Sequence, residues 1–329
     1  MPELVFHEGF GRAIRMDPIA ELGVPTQDWV EIFLRRGERD EALRYLDYMV
    51  QEFTVLYRTL MIPWIRETVG ALGRRTGEAT AFPLVAALGE HAWERFYRTG
   101  VGFKAEAAAA VAAGRLDLAT AAVDHVRLAF KAINDAMVVW VQDLQTLAAD
   151  RFGADEVVRL TREAYDRIWT GRYATWLRLS PHEQVALSVE GMRAHYGGPR
   201  RRGEVSVREE ADRYVLSWLC GTGGMLRMGD WETGGPPHPT RGVSREPRPW
   251  TWGRTGVPWY CTHCSLLMEV FPAEVHGHPL RPLDWDPDPR APCVWYVYKR
   301  PDLVRDVHYH RIGLAPPRGR GAPPGPGAP

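Results

Sequence analysis

The chain has 329 residues, of which 45% are hydrophobic and 25% are charged, so it is long enough to bury a substantial core and to form more than one domain. Lys and Arg together number 41, and so do Asp and Glu. A chain without net charge has no overall field to attract nucleic acid or an anionic membrane surface, and we expect neither among its partners.

The N-terminal residues place no apolar segment behind a basic start, which predicts no secretory signal. The longest apolar stretches are far shorter than the roughly 18 residues that a membrane-spanning helix needs. Four cysteines in an intracellular chain of this size favour metal ligands or thiols over a disulfide framework. The sequence therefore predicts a cytoplasmic protein.

The N-terminal half is predicted to be helical after an irregular lead-in over residues 1–25. Thr26 is a candidate cap for a helix that ends at Arg36, because Gly37 follows. Apolar residues then recur every three or four positions, which indicates amphipathic helices. These are predicted over residues 40–61 with a bend near Pro63, 78–98 with an interruption near Pro83, 104–112, 116–149, 155–177 and 181–195. Residues 26–196 are thus interpreted as an all-α bundle.

This bundle lacks the Glu-x-x-His pairs that ferritin-like metal sites require. Its apolar side chains have the spacing of a packed core rather than of a cofactor site. We assign the bundle to scaffolding, to one wall of a pocket, or to the surface of a homodimer.

The composition changes at residues 197–204, which predicts a domain boundary. Residues 205–314 are interpreted as a small antiparallel α+β domain, and the Pro/Gly-rich residues 315–329 as a disordered tail. A β-prone run over residues 214–219 leads into Cys220, and the glycines that follow predict a turn into a returning strand at residues 225–228. The fold class is therefore α+β, with the bundle first and a Cys-rich metal site in the second domain.

A long loop, residues 229–257, carries Trp250, Trp252 and Arg254. Loops of this length are uncommon in compact domains and often form lids. The two indoles suit an aromatic ligand, and Arg254 suits a carboxylate. The alternative is that the tryptophans only anchor the loop on the bundle.

The loop leads into Cys261-Thr-His-Cys264, which is followed by a predicted short helix over residues 265–271. Cysteines before a helix experience its positive end, which favours the thiolate. With Cys220 and Cys293 on neighbouring strands, these cysteines form the tetrahedral sulfur set that zinc prefers, and His263 is a fourth ligand or a general base. A Cys-x-x-Cys pair also serves redox exchange or nucleophilic attack, or packs as inert thiols. The other histidine pairs, His276 with His278 and His308 with His310, are interpreted as surface or structural residues.

The order of these motifs, with Cys220 closing a strand in CGTGG, Cys261 and Cys264 starting a helix, and Cys293 opening a Cys-x-Trp-x-Val strand, resembles a known domain. It is similar to that of 4-vinyl reductase-type ligand sensors and L-2-amino-thiazoline-4-carboxylic acid hydrolase-like proteins, and to uncharacterised bacterial proteins with CGSGG and CxHC motifs. In the sensors a zinc ion held largely by cysteines lies beside a small-molecule pocket. The resemblance implies that Cys261, Cys264 and Cys293 are the corresponding ligands. This chain departs from the sensors in its CTHC pair and Trp loop, and it lacks an ATPase or DNA-binding domain.

Two functions follow as hypotheses. The first is a zinc-dependent hydrolase acting on a small cyclic or aromatic, carboxylated substrate under the 229–257 loop, with Trp250, Trp252 and Arg254 holding the substrate and His263 in a catalytic role. The second is a small-molecule-binding sensor module in which the Cys-ligated zinc is structural. A thiol redox protein using Cys261 and Cys264 is a third alternative.

Overall fold

The computed structural model describes residues 2–219, 226, 242–288 and 290–317. Long helices make up most of the described residues, and two small antiparallel sheets accompany them, so the predicted α+β class is confirmed. The N-terminal elements are β1 (Leu4–His7), β2 (Arg12–Arg15), α1 (Thr26–Arg36), α2 (Arg39–Leu56), α3 (Ile62–Thr76), α4 (Ala81–Ala112), α5 (Leu116–Phe152), α6 (Ala154–Ala164), α7 (Thr170–Trp176) and α8 (Pro181–Ala194). The later elements are β3 (Ser206–Glu209), β4 (Arg213–Trp218), α9 (Thr262–Ser265), α10 (Phe271–His276), β5 (Leu283–Asp284), β6 (Cys293–Tyr298) and α11 (Asp306–His310).

The lead-in is more ordered than the sequence predicted. β1 and β2 pair antiparallel, with a short 3-10 turn between them and Gly11 in the left-handed conformation that favours glycine. The hairpin is joined to the helices, because Arg15 donates a backbone hydrogen bond to Tyr48 and Arg12 pairs with Glu190. The prediction of an irregular segment missed these long-range contacts.

Helix α1 has the predicted bounds, and Gly37 ends it in the left-handed conformation. Thr26 is not a cap, because its hydroxyl instead accepts a hydrogen bond from Arg15 and donates one to Glu52. The predicted irregularity near Pro63 corresponds to a π-helical turn, π1 (Tyr57–Met61), which joins α2 to α3. A wider turn at this position accommodates the proline, which has no backbone N–H to donate.

Helix α4 is continuous over Ala81–Ala112, so the interruption predicted near Pro83 is wrong. Pro83 lies in the first turn of the helix, where backbone N–H groups have no intrahelical acceptor and proline is tolerated. Helices α4 and α5 approach closely at Gly100, where a Cβ would lie 2.5 Å from the Phe130 ring. The two segments that the sequence separated are therefore one long helix packed along α5.

A second π-helical turn, π2 (Tyr165–Trp169), joins α6 to α7, within the single helix predicted there. Helix α8 begins with a capping box. The Ser180 hydroxyl accepts a hydrogen bond from the Glu183 backbone N–H, and the Glu183 carboxylate accepts one from the Ser180 backbone N–H. The all-α character of residues 26–196 is confirmed among the described elements.

The arginines of the predicted boundary, residues 197–204, are held by the bundle. Arg200 and Arg202 both pair with Asp28 of α1, and Arg202 also pairs with Glu31. The segment is thus fixed to α1 by ion pairs.

The second sheet has the strand order β3-β4-β6-β5, and all of its pairs are antiparallel. The predicted strands at residues 214–219 and 293–299 correspond to β4 and β6, in register with Trp218 opposite Cys293. Of the predicted returning strand only Leu226 is described, and it is helical and buried. Cys220 and residues 229–241 of the loop lie outside the described residues, and so does most of the predicted tail, residues 318–329.

The helix predicted after the CTHC pair runs from α9 through a third π-helical turn, π3 (Leu266–Val270), into α10. Gln142 of α5 joins this region to the bundle, since its amide accepts from the Tyr260 backbone at 2.8 Å and donates to the Gly242 carbonyl at 2.7 Å. One cluster of buried apolar side chains continues from α2, α3 and α5 into β4, β6 and π3. The bundle and the C-terminal region therefore share a core.

Among the described residues, no helix is long and apolar enough to cross a membrane. The outward face of α4 exposes Leu84, Val85, Leu88 and Phe96. The homodimer through the bundle remains a prediction.

Candidate functional site

A cavity of about 590 Å³, named here the central cavity, lies between the bundle and the C-terminal region. Its walls come from the β1–β2 turn, α2, α3, α7 and α8 on one side and from β4, the CTHC segment, β5 and β6 on the other. Six of the tryptophans that the structure describes line it: Trp64, Trp169, Trp176, Trp218, Trp285 and Trp295. None of these six was singled out as a site residue from the sequence.

The cavity has an exposed end and a buried end. Gly9, Thr59, Gly171 and Arg172 line it and are exposed, so they mark the rim. The opposite wall contains Cys261 and Cys293 and the strands β5 and β6, where the lining side chains are buried. Cys261 and Cys293 therefore belong to the buried part of the lining.

The π-helical turns π1, π2 and π3 all contribute to the wall. Thr59 to Met61 come from π1, Trp169 from π2 and Met268 from π3. An inserted residue in a helix redirects the side chains around it, and such turns occur frequently at functional sites. The wall is therefore shaped where three helices depart from regular geometry.

The structure brings Cys261, Cys264, Cys293 and His263 to the same cavity, and none of these three cysteines is joined by a disulfide. His263 donates through Nδ1 to the Tyr260 carbonyl at 2.5 Å, so its bare Nε2 accepts from the Cys264 thiol, with Sγ at 3.5 Å. Burial lowers the pKa of His263 to about 4. The ring is therefore neutral at physiological pH, which suits a proton acceptor or a metal ligand.

The described residues by themselves do not supply a metal site, because they include no group of three or more His, Cys, Asp or Glu side chains placed to hold an ion. Cys220, one of the predicted cysteine ligands, lies outside the described residues. The zinc site with Cys220, Cys261, Cys264 and Cys293 remains a prediction.

Trp250, Trp252 and Arg254 are not among the residues that line the central cavity. Trp252 donates through its indole N–H to Glu269 at 2.9 Å and stacks on Trp285 at a centroid distance of 5.9 Å. Trp250 packs against Trp259. These contacts anchor the loop, which was the alternative left open for the tryptophans, although the anchoring partners of Trp252 lie in the C-terminal region.

Arg254 is exposed and borders a separate surface depression of about 350 Å³, which it shares with Trp285. Trp285 also lines the central cavity, so the depression and the cavity share one tryptophan in their walls. The predicted substrate-binding role of Arg254 therefore applies to this depression.

The two other histidine pairs lie away from the cavity lining. His276 ends α10 before Gly277, which is left-handed, and His278 follows the turn. His308 is buried on α11 and accepts a hydrogen bond from the Tyr298 hydroxyl at 3.0 Å.

Charged residues that the sequence did not indicate also line the central cavity. Arg12 forms a two-pronged pair with Glu190, at 2.9 Å and 2.6 Å. Arg172 donates to the Thr59 hydroxyl at 3.1 Å. The Arg281 guanidinium lies 5.1 Å from the Trp176 ring and 5.7 Å from the Trp295 ring. No local sequence motif identifies these arginines, because their partners come from distant parts of the chain.

Comparison with protein-family models, with characterised proteins and with solved structures found no significant match to this chain. The resemblance inferred from the cysteine motifs is therefore neither supported nor contradicted. The case for function depends on the cavity itself.

Proposed function

We propose that this protein is a binding module that holds a small, largely aromatic or apolar molecule in the central cavity. The observation that carries the proposal is the cavity of about 590 Å³ with its six tryptophans. Small-molecule sites are typically clefts of roughly 300 to 1,000 Å³ with mostly apolar walls and a few placed polar groups. The cavity has this size and this composition.

A packing defect is a weaker explanation for a space of this size. Protein interiors are close-packed, and atoms that line a void forgo the dispersion contacts that a neighbour would supply. Large aromatic side chains that could have filled the space instead surround it, among them Trp64 and Tyr173, which are buried. A ligand of matching shape would restore those contacts.

The experiment is to introduce a larger side chain into the cavity at a position where it causes no steric clash. Gly191 of α8 lines the cavity, and a Cβ built there has no neighbour within 4 Å outside its own helix. Gly191→Leu should weaken binding of Nile red, a neutral apolar dye, by about tenfold or more, because the leucine occupies ligand space. Stability should not fall, since leucine replaces a poor helix former.

Gly102→Leu is the matched control, because Gly102 is a helical, exposed glycine of α4 that also has open space around its Cβ and does not line the cavity. It should leave dye binding unchanged. Two outcomes would contradict the proposal. Nile red fluorescence would not saturate when the wild-type protein is added, or Gly191→Leu and Gly102→Leu would change dye binding equally.

The second candidate is the metal-dependent hydrolase, and the observation that favours it is that Cys261, Cys264, Cys293 and His263 line one cavity. Elemental analysis of the purified chain should then find about one zinc per chain, with loss of metal and of stability in Cys261→Ser, because such a metal contributes folding free energy. Metal-free protein with wild-type stability would remove this candidate and leave the binding module.

A further inference from the structure

We propose that the ligand of the central cavity carries a carboxylate, and that Arg281, assisted by Arg172 at the rim, is the group that recognises it. This inference deepens the proposed binding function and rests on it. It assigns the anion to different residues from Arg254, which borders a separate depression.

The acids that line the cavity already have partners. Glu190 accepts from Arg12 through both oxygens and from the Tyr48 hydroxyl at 2.7 Å. Glu52 accepts from Arg193 at 2.8 Å and 2.6 Å and from the Thr26 hydroxyl at 2.6 Å. Neither carboxylate is therefore available to neutralise the other cations of the wall.

Arg281 forms no ion pair with any residue in the described part of the chain. Its Nε is buried without a hydrogen-bond partner, and its Nη2 contacts the sulfur of Met268, a weak acceptor, with the Tyr173 hydroxyl as a further polar neighbour. The faces of Trp176 and Trp295 hold the guanidinium by cation–π contact. A buried polar group without a partner is costly, so a guanidinium held in this way is prepared for an acceptor that a ligand supplies.

Arg172 adds a second positive charge at the rim. Its contacts in the described structure are to the hydroxyl and carbonyl of Thr59, at 3.1 Å and 3.5 Å, and no described carboxylate pairs with it. His195, another residue of the wall, does not add a competing positive charge, because burial lowers its pKa. The cavity thus has positive charge on aromatic walls.

A planar carboxylate on an aromatic or apolar body matches this arrangement. Guanidinium presents its N–H groups as a fork that binds carboxylate through two parallel hydrogen bonds, and it also stacks on aromatic faces. In a mostly apolar cavity such a charged hydrogen bond is stronger than in water. The neutral amide of the same molecule would fill the same space without this bond.

The test compares cinnamate with cinnamamide as competitors of Nile red. Wild-type protein should bind cinnamate at least about tenfold more tightly than cinnamamide. Arg281→Met should weaken cinnamate by about 10- to 100-fold and change cinnamamide by less than about threefold, as the loss of a charge-assisted hydrogen bond predicts. Arg281→Lys should restore part of the preference, and Arg172→Met should reduce it less than Arg281→Met.

Arg245→Met is the matched control, since the Arg245 side chain is 86% exposed and pairs with Asp150 outside the cavity lining. It should not alter either competitor. Equal displacement of Nile red by acid and amide, or an Arg281→Met variant that weakens both equally, overturns the carboxylate inference while the cavity still binds the dye. Failure of Nile red to bind wild-type protein overturns the proposed function and this inference together.

Discussion

Two groups of arginines differ in whether a carboxylate of the chain pairs with their charge. Beneath the N-terminal hairpin, Arg193 pairs with Glu52 and Arg15 with Asp17, and all four side chains are nearly inaccessible. In the cavity wall, Arg281 and Arg172 form no ion pair with any residue that the structure describes. The first arrangement joins β2, α2 and α8 to one another, whereas the second leaves donors for a ligand.

The difference teaches that burial of a charge alone does not indicate function. Burial by itself would lower the pKa of Arg193, but Glu52 and other nearby acidic groups raise it above its ordinary value, so the guanidinium stays charged. A charge satisfied by the chain serves the fold, and removing its partner leaves a buried charge uncompensated. A charge that no described carboxylate meets, as at Arg281, is the kind that we propose for recognition of a ligand.

The largest effect is expected from breaking the paired group. Arg193→Met should lower the free energy of unfolding by about 3 to 5 kcal/mol, because Glu52 is then left buried without its cation. The double variant Arg193→Met, Glu52→Leu should recover part of this loss. Urea denaturation measures both, and a loss below about 1 kcal/mol in the single variant would show that the pairs are dispensable.

His308 is a buried titratable side chain that stays neutral, in contrast to the buried Arg193 and Arg15, which are paired with carboxylates. Burial, followed by the charge of Arg311, lowers the pKa of His308 to about 3, and its Nδ1 is buried without a hydrogen-bond partner. The unfolded chain takes up this proton below its ordinary pKa of about 6.5 while the folded chain does not, so stability falls as the pH falls.

Between pH 7.5 and pH 5 this single group should lower the free energy of unfolding by about 2 kcal/mol. Urea denaturation at the two pH values measures the change, and His308→Gln should reduce the difference by that amount. A variant with the same pH dependence as the wild type would contradict the assignment.

Arg281→Met sharpens the comparison with Arg193. Loss of the cation–π contacts opposes the removal of a poorly satisfied charge, so the net change in the free energy of unfolding should be within about 1 kcal/mol. Thermal denaturation of the two methionine variants side by side checks this contrast. If Arg281→Met and Arg193→Met lowered stability equally, Arg281 would have a structural role like that of Arg193.

The smallest effect is expected at Arg254. Its side chain is exposed and outside the lining of the central cavity, so Arg254→Ala should change stability by less than about 0.5 kcal/mol and leave displacement of Nile red by cinnamate unchanged. The sequence by itself predicts the opposite for binding. Weaker cinnamate binding in this variant would indicate that Arg254, and not Arg281, recognises the carboxylate.

The local pattern of the chain was sufficient to predict the helices, the α+β class and the strands β4 and β6. Helix α5 was predicted because an apolar spacing of three to four residues is a property of neighbours in the chain. The pattern also brought His263 and the Cys261–Cys264 pair forward as site residues, and the structure places them in the cavity wall.

Only the tertiary structure decided the rest, because it depends on residues far apart in the chain. The sequence predicts an interruption at Pro83, yet proline is tolerated there because it lies in the first turn of α4. The hairpin β1–β2 is ordered by contacts with Tyr48 and Glu190, which no window of the sequence contains. A cavity is the space that several elements leave between them, and Arg281 is identified by the carboxylates that do not reach it. Neither property belongs to any one segment, so neither could be predicted from its residues.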